Sequence, residues 1–169
     1  MTSPMYTNSV PVFTQLLTAL KTNLATTAAH AAEKSVNADA YLQARLFPDM
    51  FPLVKQVQIA CDFARGVSAR LAVVDVPASA GTEASFADLD ALLASTLAFI
   101  ADLDAAKFDG AEGRDIVLRP GTPKERKLSG QAYLSNYGLP QFFFHVTTAY
   151  ALLRHNGVAI GKKDFMGAY

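Results

Sequence analysis

Leu53, Val57, Ala60, Ala64, Val67 and Leu71 recur at alternating steps of four and three residues. On a helix that spacing gathers six apolar side chains into one narrow seam, which is stable only against a neighbouring helix. The helix it predicts runs from about Pro52 to Leu71, with Pro52 tolerated in the first turn. Ala60 and Ala64 are small enough to let the partner approach closely, while Gln58, Asp62 and Arg65 point away from the seam.

Three other segments carry the same kind of pattern. Val12, Phe13, Leu16, Leu17, Leu20, Leu24 and Ala31 fall within one arc about 140° wide, which predicts a core-packed helix over residues 9 to 34 with His30 at the edge of the arc. Phe86, Leu89, Leu93, Leu97, Ile100 and Leu103 form the stripe of a third helix, with Ser85 as its N-cap after the loop "DVPASAGTEAS". A fourth helical region is expected from about 130 to 155, capped by Ser129, bent or broken at Gly138 and Pro140, and ended by Gly157. Between the third and fourth, "RDIVLRPGTPKERKLSG" has a β-branched run, a Pro-Gly turn and a charged return, the pattern of a small hairpin. A short helical turn around "ADAYLQA" punctuates the link from the first helix to the second. Four amphipathic segments, one long crossover and an extended insertion make an all-α four-helix bundle. The 169 residues suit a single domain spanning residues 1 to 169, and 51% hydrophobic residues suffice for a core.

Charge and cysteine content narrow the function. Fifteen basic residues balance fifteen acidic ones, and the densest basic cluster, "KERK" at 124 to 127, contains an acid. No concentrated basic face for nucleic acid is visible, whereas a net charge of zero favours self-association. One cysteine, Cys61, excludes an internal disulfide and suits a reducing compartment. No signal peptide is read in "MTSPMYTNSVPVF", and no apolar run reaches the roughly 20 residues needed to span a bilayer. The expected location is the cytoplasm.

The three histidines are the residues best suited to chemistry. His145 and His155 lie ten residues apart on one helix, about 15 Å along its axis and about 80° out of phase, so they cannot share an ion. A helical His-x-x-x-His pair would need a ligand at position 149, which is Ala. His155, beside Arg154 in the last turn, is a capping residue. His145 faces inward, and a lone inward imidazole is most simply a hydrogen-bonded core group. The functional alternative is that His30 and His145 meet across the bundle and act as general acid and base, or with an acid hold a divalent metal such as zinc or nickel. Asp49, Gln56, Gln58 and Asp62 are the candidate third members, and Tyr150 a candidate ligand contact. No metal site or other cofactor follows from the residues alone. Cys61 has no basic neighbour and reads as buried packing. Of Phe142, Phe143 and Phe144, which cover three helix faces, at least one should meet another element, a ligand or a second subunit. Tyr133 and Tyr137 are expected in the core with satisfied hydroxyls.

The stretches "ARLFPDMFPLVKQVQIACDFARG" and "FFFHVTTAYALLRHNGVAIGKKDFMG", with "AAHAAEKS" and "ASFADLDALLASTLAFI", closely resemble a bacterial domain-of-unknown-function family, number nineteen ninety-three. The likeness covers nearly the whole chain. That family is similar in fold to the DinB/YfiT-like four-helix bundles, which are commonly dimeric and often grouped with metalloenzymes. Members of the superfamily that act as thiol-dependent transferases or isomerases hold a divalent metal with one His from the second helix and a His-x-x-x-His pair on the last. Only His145 matches; Gln56 and Gln58 stand where the second-helix His is wanted, and Ala149 where the third is. The resemblance therefore implies the bundle and a homodimer, with the metal site altered or lost. It leaves a small-molecule site around His30 and His145, serving a transferase or hydrolase, or a non-enzymatic ligand-binding or assembly module whose histidines are structural.

Overall fold

In a computed structural model, residues 3–169 are described. A short helix α1 (Pro4–Thr7) leads into α2 (Val10–Glu33), and a 3₁₀ turn (Ala38–Gln43) carries the chain to α3 (Leu53–Ala72). Next come α4 (Phe86–Ala101), two 3₁₀ turns (Ala105–Phe108 and Ala111–Gly113), and strands β1 (Asp115–Leu118) and β2 (Arg126–Ser129). The chain closes with α5 (Gly130–Ala132), a π-helical turn (Tyr133–Gly138), α6 (Leu139–His155) and α7 (Lys162–Met166). The two strands pair antiparallel, Asp115 opposite Ser129 and Leu118 opposite Arg126, and form the expected hairpin.

Long-range contacts give the helix directions. Tyr133 reaches Gly66 at one end of α3 and His145 reaches Gln56 at the other, so α3 and α6 are antiparallel. The ring of Phe13 packs edge-on against Phe142 at 4.8 Å. Ten residues on from Phe13, Asn23 bonds the Asp164 carbonyl beside Phe165, whose ring meets Tyr150 at 5.5 Å. Helices α2 and α6 therefore run the same way. Lys21 pairs with Asp90 near the start of α4, and Ser3 bonds the Phe108 carbonyl beyond its end, so α4 opposes α2 and runs parallel to α3. Parallel neighbours need a connection as long as the helix. Residues 73–85 supply it, since thirteen extended residues reach about 43 Å against about 30 Å for a twenty-residue helix.

All six residues of the α3 seam are completely buried, and Phe13, Leu20, Leu89, Leu93, Phe142 and Leu153 join them in one apolar cluster. Ser85 caps α4 as expected: its Oγ accepts from Asp88 N at 3.1 Å, while the Asp88 carboxylate accepts from the backbone of Ser85 and Ala84. At the end of α6 the Asn156 side chain donates to the Leu152 carbonyl, and Gly157 takes φ +90°.

Two expectations need correction. The last helical region is not interrupted at Gly138 and Pro140; it runs through them by widening into a π turn. Pro140 lacks an N–H and its ring would collide with the carbonyl four residues back, and the wider turn relieves that conflict without breaking the rod. Gly138 is needed there for a different reason: a Cβ would lie 2.7 Å from Val67 of α3. The polar side of α3 is also less exposed than its seam implies. Gln58 and Arg65 are buried, because the crossover loop runs over them and its Glu83 accepts from Gln58 at 2.6 Å.

Candidate functional site

His145 is buried and stacks on Phe63 with planes 16° apart, while the Phe144 ring meets it edge-on. Its Nδ1 lies 2.7 Å from Oε1 of Gln56, and the same amide donates through Nε2 to the Phe51 carbonyl at 3.0 Å. That second bond fixes the amide orientation, so Nδ1 carries the proton and Nε2 keeps its lone pair. Burial lowers the pKa of His145 below its ordinary 6.5. The unfolded chain then binds the proton more readily, so stability is full above about pH 6.5 and falls as the pH drops from there through the folded-state value. Urea melts between about pH 5 and 8 should show this decline, and His145→Gln should flatten it.

The residues expected to share a site with His145 are dispersed. Since Phe13 is level with Phe142, His145 is level with about Leu16, and the fourteen residues from there to His30 span about 20 Å of helix. The expected pairing of His30 with His145 is not formed, because the two lie at different heights along the bundle. His30 sits half-buried in the last turn of α2. Among the described residues it makes no side-chain hydrogen bond. Asp49 is exposed on the loop before α3, Gln58 is held by Glu83, and Tyr150 packs against Phe165 of α7. Gln56 alone meets His145. His155 is exposed at the end of α6, where its neighbour Arg154 donates to the Val158 carbonyl.

A divalent metal does not fit this arrangement. Around His145 stand an amide already bonded on both sides and, at position 149, a fully buried methyl group. One imidazole is the whole donor set, and among the described residues no group of three or more His, Cys, Asp or Glu side chains is placed to hold an ion. Cys61 offers no alternative ligand, because burial pushes its thiol up to about 12. Iodoacetamide should leave Cys61 unmodified in the folded protein and alkylate it only as the chain unfolds, as mass spectrometry across a urea series would record.

Phe63 also lines a second candidate space, which His145 does not enter. A cavity of about 210 Å³ is lined by Asp62, Phe63, Gly66, Val67 and Arg70 of α3, Leu118 and Arg119 of the hairpin, and Tyr133 and Tyr137 of the π turn. Tyr133 and Tyr137 stack at 5.8 Å, and Phe63 meets Tyr137 at 5.7 Å while also covering His145. At the base, Arg70 folds back to donate to the Gly66 carbonyl at 2.9 Å and to the Tyr133 hydroxyl at 3.3 Å. Gly66 makes room for this, since a Cβ would stand 2.7 Å from the guanidinium. Burial raises the Tyr133 pKa against the opposing pull of Arg70, so the phenol stays protonated. Asp62 is half exposed on the rim and is paired with the buried Arg65 at 2.7 Å.

Sequence reasoning placed Tyr133 and Tyr137 in the core and missed Arg70 and Arg119 as site residues. Two spacings of four, Gly66 to Arg70 and Tyr133 to Tyr137, were the available signal. Neither points to a cavity until the hairpin is laid across both helices.

The model of a domain of unknown function, DUF1993, matches residues 5–166 of the chain. Among solved structures, the chain is similar to a DinB family member protein from Shewanella denitrificans. The two share 36% sequence identity and a TM-score of 0.91, over 97% of this chain and 92% of that one. A comparison with curated proteins finds no match.

Proposed function

Because the chain belongs to the DUF1993 family and has the DinB-like bundle without three metal-ligating histidines, we propose that it binds a small organic molecule in the cavity between α3, the π turn and the hairpin. One observation carries this reading. Two costly backbone conformations line the same space: the π turn that presents Tyr133 and Tyr137, and Arg119, a non-glycine residue at φ +50°. Such conformations are over-represented at functional sites, and here the turn that accommodates Pro140 also brings two aromatic rings to the same space as Arg119. The aromatic and aliphatic walls of Phe63, Val67, Leu118 and the two tyrosines suit a flat apolar group, and the hydroxyls and guanidiniums fix its orientation. His145 contributes from behind, by holding Phe63 through the stack.

The test uses N-phenyl-1-naphthylamine, a neutral dye whose emission rises in apolar surroundings. Emission should rise with the wild-type protein and fail to rise with Leu118→Trp, whose larger ring fills the cavity. Equal emission from the two proteins at equal melting temperature would overturn the reading.

The unpaired buried thiol accords with a cytoplasmic location, and among the described residues no helix is long and apolar enough to cross a membrane. We also place a homodimer contact on the exposed Phe47, Phe51 and Phe144, which are 64%, 53% and 55% accessible. Light scattering at micromolar concentration should give twice the chain mass, and Phe144→Ser should shift it toward the monomer.

A further inference from the structure

We infer that the ligand of this cavity is an organic anion, an apolar ring system bearing a phosphate, sulfonate or similar head group. The inference rests on the reading of the cavity as a ligand site and adds the chemistry of its occupant.

The cavity does not end at Tyr137. Leu118, Arg119 and Tyr137 also line an adjoining groove of about 360 Å³, whose other walls include Lys124, Arg126 and Asn136. Its lining has three cations and no acid. The three come from one short stretch of the chain, residues 119 to 126, and the fold adds their placement beside the aromatic cavity. The hairpin bends Arg119 and Arg126 toward the same face, and the only acid of the basic cluster is turned elsewhere: the Glu125 carboxylate accepts from the Gly121 backbone at 2.7 Å, inside the turn.

Among the described residues, Arg119, Lys124 and Arg126 form no ion pair and no side-chain hydrogen bond. By contrast, Arg70, Arg114 and Arg154 are each bonded to backbone carbonyls, and Arg65 to Asp62. Three cations without partners beside an aromatic cavity form a two-part site: rings for an apolar body, guanidiniums and an ammonium for a charged head. The positive φ of Arg119 belongs to this arrangement, because it turns the chain at the junction of the two parts.

The experiment compares two dyes that share one skeleton, neutral N-phenyl-1-naphthylamine and 8-anilinonaphthalene-1-sulfonate, by fluorescence titration of the full chain. The sulfonate should bind about tenfold more tightly, the sum of several partly exposed charge contacts. The preference should shrink at 1 M salt, where screening acts within about 3 Å. It should also disappear in the triple variant Arg119→Gln, Lys124→Gln, Arg126→Gln, and persist in Lys34→Gln, which removes a charge outside the groove. Equal affinity of the two dyes, or a preference untouched by the triple variant, would overturn the anion assignment while leaving the cavity reading intact. If both dyes bind Leu118→Trp as well as wild type, or neither binds at all, the cavity reading falls and this inference with it.

Discussion

Gly130→Ala is expected to destabilise the protein by about 3 kcal/mol or more, lowering the melting temperature by roughly 6–12 °C. A Cβ on Gly130 would lie 1.8 Å from the Ala111 carbonyl oxygen and 2.9 Å from its carbon, with the Leu71 side chain 3.4 Å away. Backbone cannot swing aside as a side-chain tip can, so relief requires moving a whole element. Gly130 also donates its N–H to the Arg114 carbonyl at 2.8 Å, tying the foot of the hairpin to the helix that follows. The substitution should therefore weaken dye binding as well as stability, because it shifts the strand that carries Leu118 and Arg119. Gly113→Ala is the control. Nothing lies within 4 Å of its added Cβ, and its melting temperature should stay within about 1–2 °C of wild type.

Tyr133→Ala is expected to cost about 3–5 kcal/mol, the range for deleting a buried aromatic ring. Tyr133 is 1% exposed, stacks on Tyr137, and closes the base of the cavity under Arg70. Its removal opens the floor of the cavity and strips the phenol from the Arg70 guanidinium. Tyr133→Phe separates the two effects. It keeps the ring and loses only hydroxyl contacts of 3.3 and 3.5 Å, so a loss of about 1 kcal/mol or less is expected, with dye binding retained. Chemical denaturation of both variants, with dye titration below the transition, measures ring and hydroxyl independently. A Tyr133→Phe variant as unstable as Tyr133→Ala would mean that the hydroxyl network, and not the ring, supports this end of the bundle.

The bundle was legible because its signals are local. The α3 seam, the Ser85 cap, the Pro-Gly hairpin and Gly157 each act within a few residues, and local rules place them where the structure has them. The π turn was not legible, since it resolves a conflict between Pro140 and a helix that α3 holds in place through Val67. Pairing His30 with His145 failed for a geometrical reason. A helical wheel reports the direction a side chain faces and is blind to its height, and the offset along the bundle depends on how far α2 slides past α6. Gln56 was named among the candidate partners, because it stands on α3 where a histidine is wanted, and it is the one of them that meets His145. The cavity was the hardest part to foresee. Gly66 and Tyr133 are 67 residues apart, and Arg119 arrives only through a hairpin whose angle to the helices no local pattern records.

The buried methyl group of Ala149 and the bonded amide of Gln56 bear on chemistry in the same way. They leave His145 as a single buried imidazole that supports Phe63, and the polar groups free to meet a ligand lie beyond that ring, around Tyr133, Tyr137 and Arg119.

A crystallographic fragment screen tests this account most directly, using small aromatic carboxylates and sulfonates soaked singly into crystals of the full chain. The account predicts ring density between Phe63, Tyr133 and Tyr137, with the acidic group toward Arg119 and Arg126. Fragments gathered at His145 and Gln56, with the space beside Tyr133 empty throughout, would contradict it.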